Sequence, residues 1–129
     1  MARISGLDHI VLNVSDVERS AAWYRDVLGL GLERMEEWRR GEVPFPSLRL
    51  DDTTIIDLFA AEPTGANLDH FALVVDTDVA GLRAWAESGT LDLVSESEPA
   101  ERFGAQGQGR SIYVKDPDGT TVELRTYGS

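Results

Sequence analysis

The chain has 129 residues, of which 42% are hydrophobic and 27% are charged, proportions that are typical of one soluble globular domain. Its formal net charge of -11 argues against binding to nucleic acid or to an anionic membrane surface, because phosphates would be repelled. The absence of cysteine excludes disulfides and thiolate metal sites, and the sequence shows neither a membrane-spanning apolar run nor an N-terminal export signal, so we expect a cytoplasmic protein.

The first predicted elements are a strand and a helix. The phrase LDHIVLNVSDV, residues 7–17, has the aliphatic content of a strand. Ser15 and Glu18 then have the spacing of a capping box, in which each side chain satisfies a backbone amide at the start of a helix. Apolar residues recur at helical spacing after it, and Gly29 is placed to end the helix. These apolar residues are Val17, Ala21, Tyr24 and Leu28.

The second half of the chain repeats this opening. The phrase LDHFALVVDTDV, residues 68–79, again predicts a strand, and Thr77 or Asp78 is a candidate cap for a helix that ends near Gly89. The two histidines of the chain, His9 and His70, therefore occupy equivalent positions in the two halves.

Each half also ends in a similar way. Further strands are predicted near residues 30–38, 48–59, 91–97 and 111–125. The tetrapeptide Asp116-Pro117-Asp118-Gly119 predicts a tight turn before the final strand. The element order is therefore β-α-β-β-β, twice, with module one at about residues 1–62 and module two at about residues 66–129. We predict an α+β fold in which both modules form a single domain over residues 1–129.

Strand alternation predicts which side chains share a face. Ile10, Leu12 and Val14, or Phe71, Leu73 and Val75, give each opening strand an aliphatic face on which a helix can pack. The opposite face then carries two imidazoles and two carboxylates, those of His9, Asp57, His70 and Glu123. Neutral imidazole and carboxylate are suitable ligands for first-row divalent ions. The alternative is that the histidines are hydrogen-bonded core residues and the acids are surface charges.

The sequence resembles the vicinal oxygen chelate superfamily, which includes glyoxalases, fosfomycin-resistance enzymes, extradiol dioxygenases and bleomycin-resistance proteins. The resemblance is carried by LDHIVLNVSDVERSAAWYRDVLGLGL, LDHFALVVDTDV and SIYVKDPDGTTVELR, and it covers nearly the whole chain. It implies tandem βαβββ modules that form a curled, cup-shaped mixed sheet with helices on its outer face, and it implies a homodimer. It also implies that one divalent ion (Zn, Ni, Mn or Fe) is held by His9, His70 and Glu123, with Asp57 as a fourth ligand or a base.

The function implied by the resemblance is a metal-dependent lyase, isomerase or transferase of the glyoxalase and fosfomycin-resistance type. Such an enzyme binds a small substrate through adjacent oxygens and stabilises an oxyanion by Lewis-acid catalysis. Asp57 and Glu123 are the candidate catalytic groups for proton transfer. Two alternatives remain open: a metal-free protein that binds a drug or a metabolite, and an Fe(II) extradiol dioxygenase. Ring cleavage normally uses an additional histidine, and this chain has none beyond the two already assigned.

Four further residues are candidate substrate contacts. Arg102 and Arg110 flank a glycine-rich segment, where either could bind an anionic group of the substrate, or both could be solvated loop charges. Tyr113 and Phe59 lie on strands that are expected to form the wall of the cup.

Overall fold

The computed structural model describes residues 2–65, 67–115 and 119–129, and in these ranges it contains three helices and nine strands. In chain order they are β1 (Arg3–Val14), α1 (Val17–Leu28), β2 (Gly31–Glu33), α2 (Met35–Arg39), β3 (Ser47–Asp51), β4 (Thr54–Ala60), β5 (Leu68–Asp76), α3 (Val79–Glu87), β6 (Asp92–Leu93), β7 (Ala100–Gly104), β8 (Gly107–Lys115) and β9 (Thr121–Thr126). The α+β class predicted from the sequence is confirmed. Within the described ranges, no helix has the length and apolar character that crossing a membrane requires.

The chain folds as two compact units, which we call the first unit (His9–Asp69) and the second unit (residues up to Asp8, with His70–Ser129). In the first unit the strands lie in the order β2-β3-β4-β1, and β1 and β4 are parallel while β3 is antiparallel to both of its neighbours. Helix α1 packs on this sheet through Val17 and Ala21, which share a core with Leu12, Val14 and Leu58. Two of the three residues of the predicted aliphatic face of the first strand, Leu12 and Val14, therefore pack with α1 as predicted.

In the second unit, β5 lies parallel to β9, and β9 pairs with β8 in the antiparallel sense. Two short strands, β6 and β7, both pair with β8, at different parts of its length. Helix α3 contributes Leu82 and Ala86 to a core that contains Val75 of β5, with Phe71 and Leu73 packed against it. The predicted aliphatic face of the fifth strand is thus confirmed as well.

Both halves contain the predicted β-α-β-β-β elements, and each adds one more. In the first half the strand predicted near 30–38 stops at Glu33 and is followed by the short helix α2, because Met35-Glu36-Glu37-Trp38-Arg39 lacks the β-branched residues that favour strands. In the second half the strand predicted near 91–97 is limited to Asp92–Leu93, and the additional strand is β7. Of the predicted turn at 116–119, residues 116–118 lie outside the described residues.

The start of α1 differs by one residue from the capping box predicted at Ser15. Asp16 is the N-cap: it has extended backbone dihedrals, and its carboxylate accepts a hydrogen bond from the backbone N–H of Arg19 at 3.0 Å. The hydroxyl of Ser15 instead accepts a hydrogen bond from the guanidinium of Arg19. The end of the helix was predicted correctly, since Gly29 has the left-handed conformation (φ 74°) that favours glycine.

These two positions give a test of the cap assignment. We expect Asp16→Ala to lower the free energy of unfolding by about 1 kcal/mol, because an N–H at the helix start loses its acceptor. Ser15→Ala is the matched control and should change stability by less than about 0.5 kcal/mol, since it removes only an exposed contact. Urea unfolding followed by circular dichroism measures both values, and an equal loss in the two variants would contradict the assignment.

Candidate functional site

In the second unit, the side chains of His70 and Glu123 are brought together by two parallel strands. His70 is near the start of β5, and Glu123 lies on β9, where it pairs with Ala72 of β5. Nε2 of His70 is 3.1 Å from Oε1 of Glu123. Glu123 is only 1% exposed, so its charge requires compensation from neighbouring groups. Two of the residues that the sequence assigned to one site are therefore in direct contact.

The other carboxylate oxygen of Glu123 accepts two hydrogen bonds. The hydroxyl of Ser111 donates to Oε2 at 2.8 Å, and Nη1 of Arg125 donates to the same oxygen at 2.7 Å. Ser111 and Arg125 face each other across β8 and β9, and Arg125 follows Glu123 by two residues, so all three side chains lie on one face of the sheet. The orientation of Glu123 is thus fixed through Oε2, while Oε1 faces the imidazole.

Arg125 is completely buried, which is unusual for an arginine. Burial by itself would lower the pKa of Arg125, but the neighbouring Glu123, Tyr127 and Asp8 outweigh this effect and raise the pKa above its usual value. The guanidinium therefore stays charged. The guanidinium of Arg125 fits here because Gly104 and Gly109 have no side chains. A Cβ at either position would lie within 3 Å of the guanidinium atoms.

Further contacts enclose this arginine. The Tyr127 ring lies 4.7 Å from the centre of the guanidinium, and the Tyr127 hydroxyl donates to the carboxylate of Asp8. Asp8 also accepts a hydrogen bond from the backbone N–H of Ala105 at 3.0 Å and lies 3.8 Å from Nε of Arg125. The residue before His9 in the chain is therefore a buried anchor of the second unit, a role that the sequence analysis did not assign.

The first unit holds a second set of a histidine, a carboxylate and a serine. Asp57 is completely buried on β4, and its Oδ1 accepts a hydrogen bond from Ser47 at 2.6 Å. Nε2 of His9 is 4.0 Å from Oδ2 of Asp57, and His9 is only 2% exposed. Burial contradicts the alternative in which Asp57 and Glu123 are surface charges.

The two serines are functional neighbours that the sequence analysis missed. Ser47 faces Asp57 across β3 and β4, whereas Ser111 faces Arg125 across β8 and β9 and reaches Glu123, two residues away, diagonally. The sequence contains a pattern that could have identified them: each serine is a small polar residue on the strand next to the one that carries the acid. Using this pattern requires the register of the hairpin, because the pairing of the two strands depends on the turn length.

Of the predicted substrate contacts, Tyr113 and Arg102 lie on the same face of the sheet as Glu123. Tyr113 pairs directly with Glu123 across β8 and β9, and its ring centre is 5.7 Å from that of His70 in an edge-to-face arrangement. Arg102 is on β7, where it pairs with Gly109, and its positive charge acts on the Tyr113 phenol. Burial, together with the charge of Glu123, raises the pKa of Tyr113 to about 12, so this phenol is neutral at physiological pH.

The other two predicted contacts are placed differently. Arg110 pairs with Thr126, and it alternates with Ser111 along β8, so it lies on the opposite face of the strand from Tyr113 and Glu123. Phe59, in the first unit, is 39% exposed and makes an edge-to-face contact with Phe45. The structure thus separates the two arginines that the sequence could not distinguish.

The donor set fits a divalent ion. Imidazole nitrogen and carboxylate oxygen bind Zn, Mn, Ni and Fe, and no thiolate is present to favour softer metals. In the second unit, Oε1 of Glu123 and Nε2 of His70 lie side by side, and the opposite carboxylate oxygen is hydrogen-bonded, as is usual for carboxylates that ligate metals. These residues therefore suit the group that the sequence implied.

Comparisons with known proteins agree with the fold. The sequence model of the Glyoxalase/Bleomycin resistance protein/Dioxygenase superfamily matches residues 6–124. The virulence protein STM3117 of Salmonella typhimurium is 28% identical over 127 residues, which cover 96% of this chain and 85% of that protein.

Two solved structures share the fold. The Mn(II)-bound glyoxalase from Novosphingobium aromaticivorans has a TM-score of 0.67 at 22% identity, and the match covers 98% of this chain and 40% of that chain. The methylmalonyl-CoA epimerase from Mycobacterium tuberculosis has a TM-score of 0.64 at 21% identity, with 98% of this chain and 90% of that chain covered. Because the superfamily model spans almost all of the chain, the protein belongs to the Glyoxalase/Bleomycin resistance protein/Dioxygenase superfamily.

Proposed function

We propose that this protein is a divalent-metal-dependent enzyme that acts on a small substrate with adjacent oxygens, of the glyoxalase and fosfomycin-resistance type. The observation that carries the proposal is the buried pair of His70 and Glu123. One carboxylate oxygen of Glu123 accepts hydrogen bonds from Ser111 and Arg125, and the other faces an imidazole nitrogen of His70. Superfamily membership supports it, as do the names of two structures with the same fold, an Mn(II)-bound glyoxalase and a methylmalonyl-CoA epimerase.

The proposed ligands of the ion are His9, His70 and Glu123, with Asp57 as a possible fourth. Imidazole nitrogen and carboxylate oxygen are the donor types that such an ion accepts. The proposal therefore requires the first unit to supply His9, and the second unit to supply His70 and Glu123. A homodimer and a cytoplasmic location, both expected from the sequence, stay predictions.

In the proposed mechanism, the ion and the side chains of the protein have different roles. When bound, the ion would supply Lewis acidity that stabilises negative charge on a substrate oxygen. Glu123, held by Ser111 and Arg125, keeps its orientation throughout. Asp57, whose Oδ1 is bonded to Ser47, offers Oδ2 for moving a proton to or from the substrate carbon.

Substrate recognition is assigned to the face of the sheet that carries Glu123. Arg102 would bind an anionic group of the substrate, and Tyr113 would donate a hydrogen bond as a neutral phenol. Phe59, with its partly exposed ring, would provide an apolar contact. Arg110 is left out, because it lies on the other face of β8.

The metal site is tested by binding measurements. We expect the wild-type protein to bind about one Mn²⁺ or Zn²⁺ per chain, and we expect His70→Ala and Glu123→Gln each to weaken binding by more than about 100-fold, since even indirect contacts of metal ligands are worth 10–100-fold. Isothermal titration calorimetry of protein stripped with chelator measures the affinity, and Glu98→Gln is a control because Glu98 is exposed and pairs with Arg83. Absence of metal binding by folded wild type would favour a metal-free binding protein.

Substrate orientation is tested with the two arginines. Oxalate is a small dianion with adjacent oxygens, and it serves as a probe of the metal-loaded protein. We expect Arg102→Ala to weaken oxalate binding by about 10-fold, the value of one charge-assisted hydrogen bond, and Arg110→Ala to leave it unchanged. The reverse result would place the anion on the other face of β8 and contradict the assignment.

The neutral phenol of Tyr113 predicts a pH dependence of stability. A tyrosine in the unfolded chain has a pKa of about 10, and Tyr113 in the folded protein has a pKa of about 12. Because the folded state binds this proton more tightly, the stabilisation is complete below pH 10 and is lost as the pH rises from about 10 to about 12. We therefore expect the free energy of unfolding to fall more steeply over this range in the wild type than in Tyr113→Phe, as measured by urea unfolding. Equal slopes would show that the phenol is not shielded.

A further inference from the structure

We propose that Arg125 is a positioning residue which, together with Ser111, restricts Glu123 to binding the ion through Oε1 alone. This role rests on the proposed function, and it concerns a residue that was not predicted from the sequence. Without such a restriction a glutamate can bind an ion through one oxygen or through both.

The hydrogen bonds of Glu123 limit how its carboxylate can bind an ion. Oε2 accepts from both the Ser111 hydroxyl and the Arg125 guanidinium, at 2.8 and 2.7 Å, so this oxygen is committed to the protein interior. Oε1 is the oxygen that faces Nε2 of His70. Rotation of the carboxylate to present both oxygens to an ion would break a charge-assisted hydrogen bond in a buried environment, which is costly.

Arg125 is itself held in place by its surroundings. Nη2 donates to the carbonyl oxygen of Arg102 at 3.0 Å, and the guanidinium stacks near the ring of Tyr127. Side chains at positions 104 and 109 would occupy its space, and both positions are glycine. These contacts hold the guanidinium in its observed position. The hydrogen bond from Arg125 then fixes the orientation of the Glu123 carboxylate.

The charge of Arg125 has a chemical consequence. A guanidinium that shares the charge of Glu123 reduces the negative charge that this ligand can donate to an ion. The bound ion would then keep more of its positive charge, which favours an anionic substrate and strengthens the Lewis acid. A second arginine, Arg102, lies on the same face as Glu123, where its charge acts on Tyr113, and it would favour the same class of substrate.

The test uses the full-length protein loaded with Co²⁺, whose visible absorption per ion weakens as the coordination number rises. In Arg125→Met the carboxylate loses its strongest hydrogen bond and can bind through both oxygens, so we expect the molar absorbance to fall by about twofold. Arg125→Lys keeps a cationic donor and should restore the wild-type spectrum. Tyr127→Phe is the matched control: it keeps the ring against Arg125 but loses the bond to Asp8, and so should alter stability without altering the spectrum.

The outcomes distinguish failure of the proposed metal site from failure of the proposed role of Arg125. A folded wild type that shows no Co²⁺ absorption overturns the metal site itself, and with it this inference. A wild type with Co²⁺ bands that are identical in Arg125→Met overturns the positioning role alone. If Arg125→Met does not fold, Ser111→Ala decides the question, because it removes the weaker of the two bonds to Oε2. We expect its spectrum to shift in the same direction by a smaller amount, and an unchanged spectrum would overturn the role of these hydrogen bonds.

Discussion

The buried ion pair of Arg125 and Glu123 is the interaction on which the arrangement of the second unit depends. Taking both charges out of water costs several kcal/mol, so the pair persists only where nearly every polar group around it finds a partner. The surrounding residues meet this requirement: Ser111 contributes a hydroxyl, Asp8 a second carboxylate, and the backbone at Arg102 a carbonyl. The glycines at 104 and 109 follow from the same need, because any side chain there would displace the guanidinium.

The two units use similar polar groups but differ at one position. In each, a buried carboxylate accepts a hydrogen bond from a serine of the adjacent antiparallel strand, Asp57 from Ser47 and Glu123 from Ser111. Two residues after the carboxylate, however, the second unit has Arg125 whereas the first has Phe59. Asp57 instead has the guanidinium of Arg34 in its electrostatic surroundings: burial lowers the pKa of Arg34, and the charge of Asp57 partly offsets this effect.

Much of the fold could be predicted from the sequence, because the duplicated phrases around His9 and His70 and the alternation of their strands are local patterns. The same patterns brought His70 and Glu123 together correctly. The helix α2 was missed because a run of five residues is too short for periodicity to distinguish helix from strand. Ser111 and Arg125 were missed for another reason: their contacts depend on strand register, which a single sequence does not specify.

Around Glu123 the charge is less negative than the charge of the whole chain suggests. A net charge of -11 attracts divalent cations over distances of about a Debye length, but it also repels the anionic chelating substrates that the proposed enzyme would use. Arg125 compensates Glu123 at 2.7 Å, and Arg102 lies on the same face of the sheet, so the immediate surroundings of Glu123 are less negative than the protein surface. Short-range contacts are screened far less than long-range ones, so in the proposed site Arg102 would attract an anionic group while Arg125 balances the charge of Glu123.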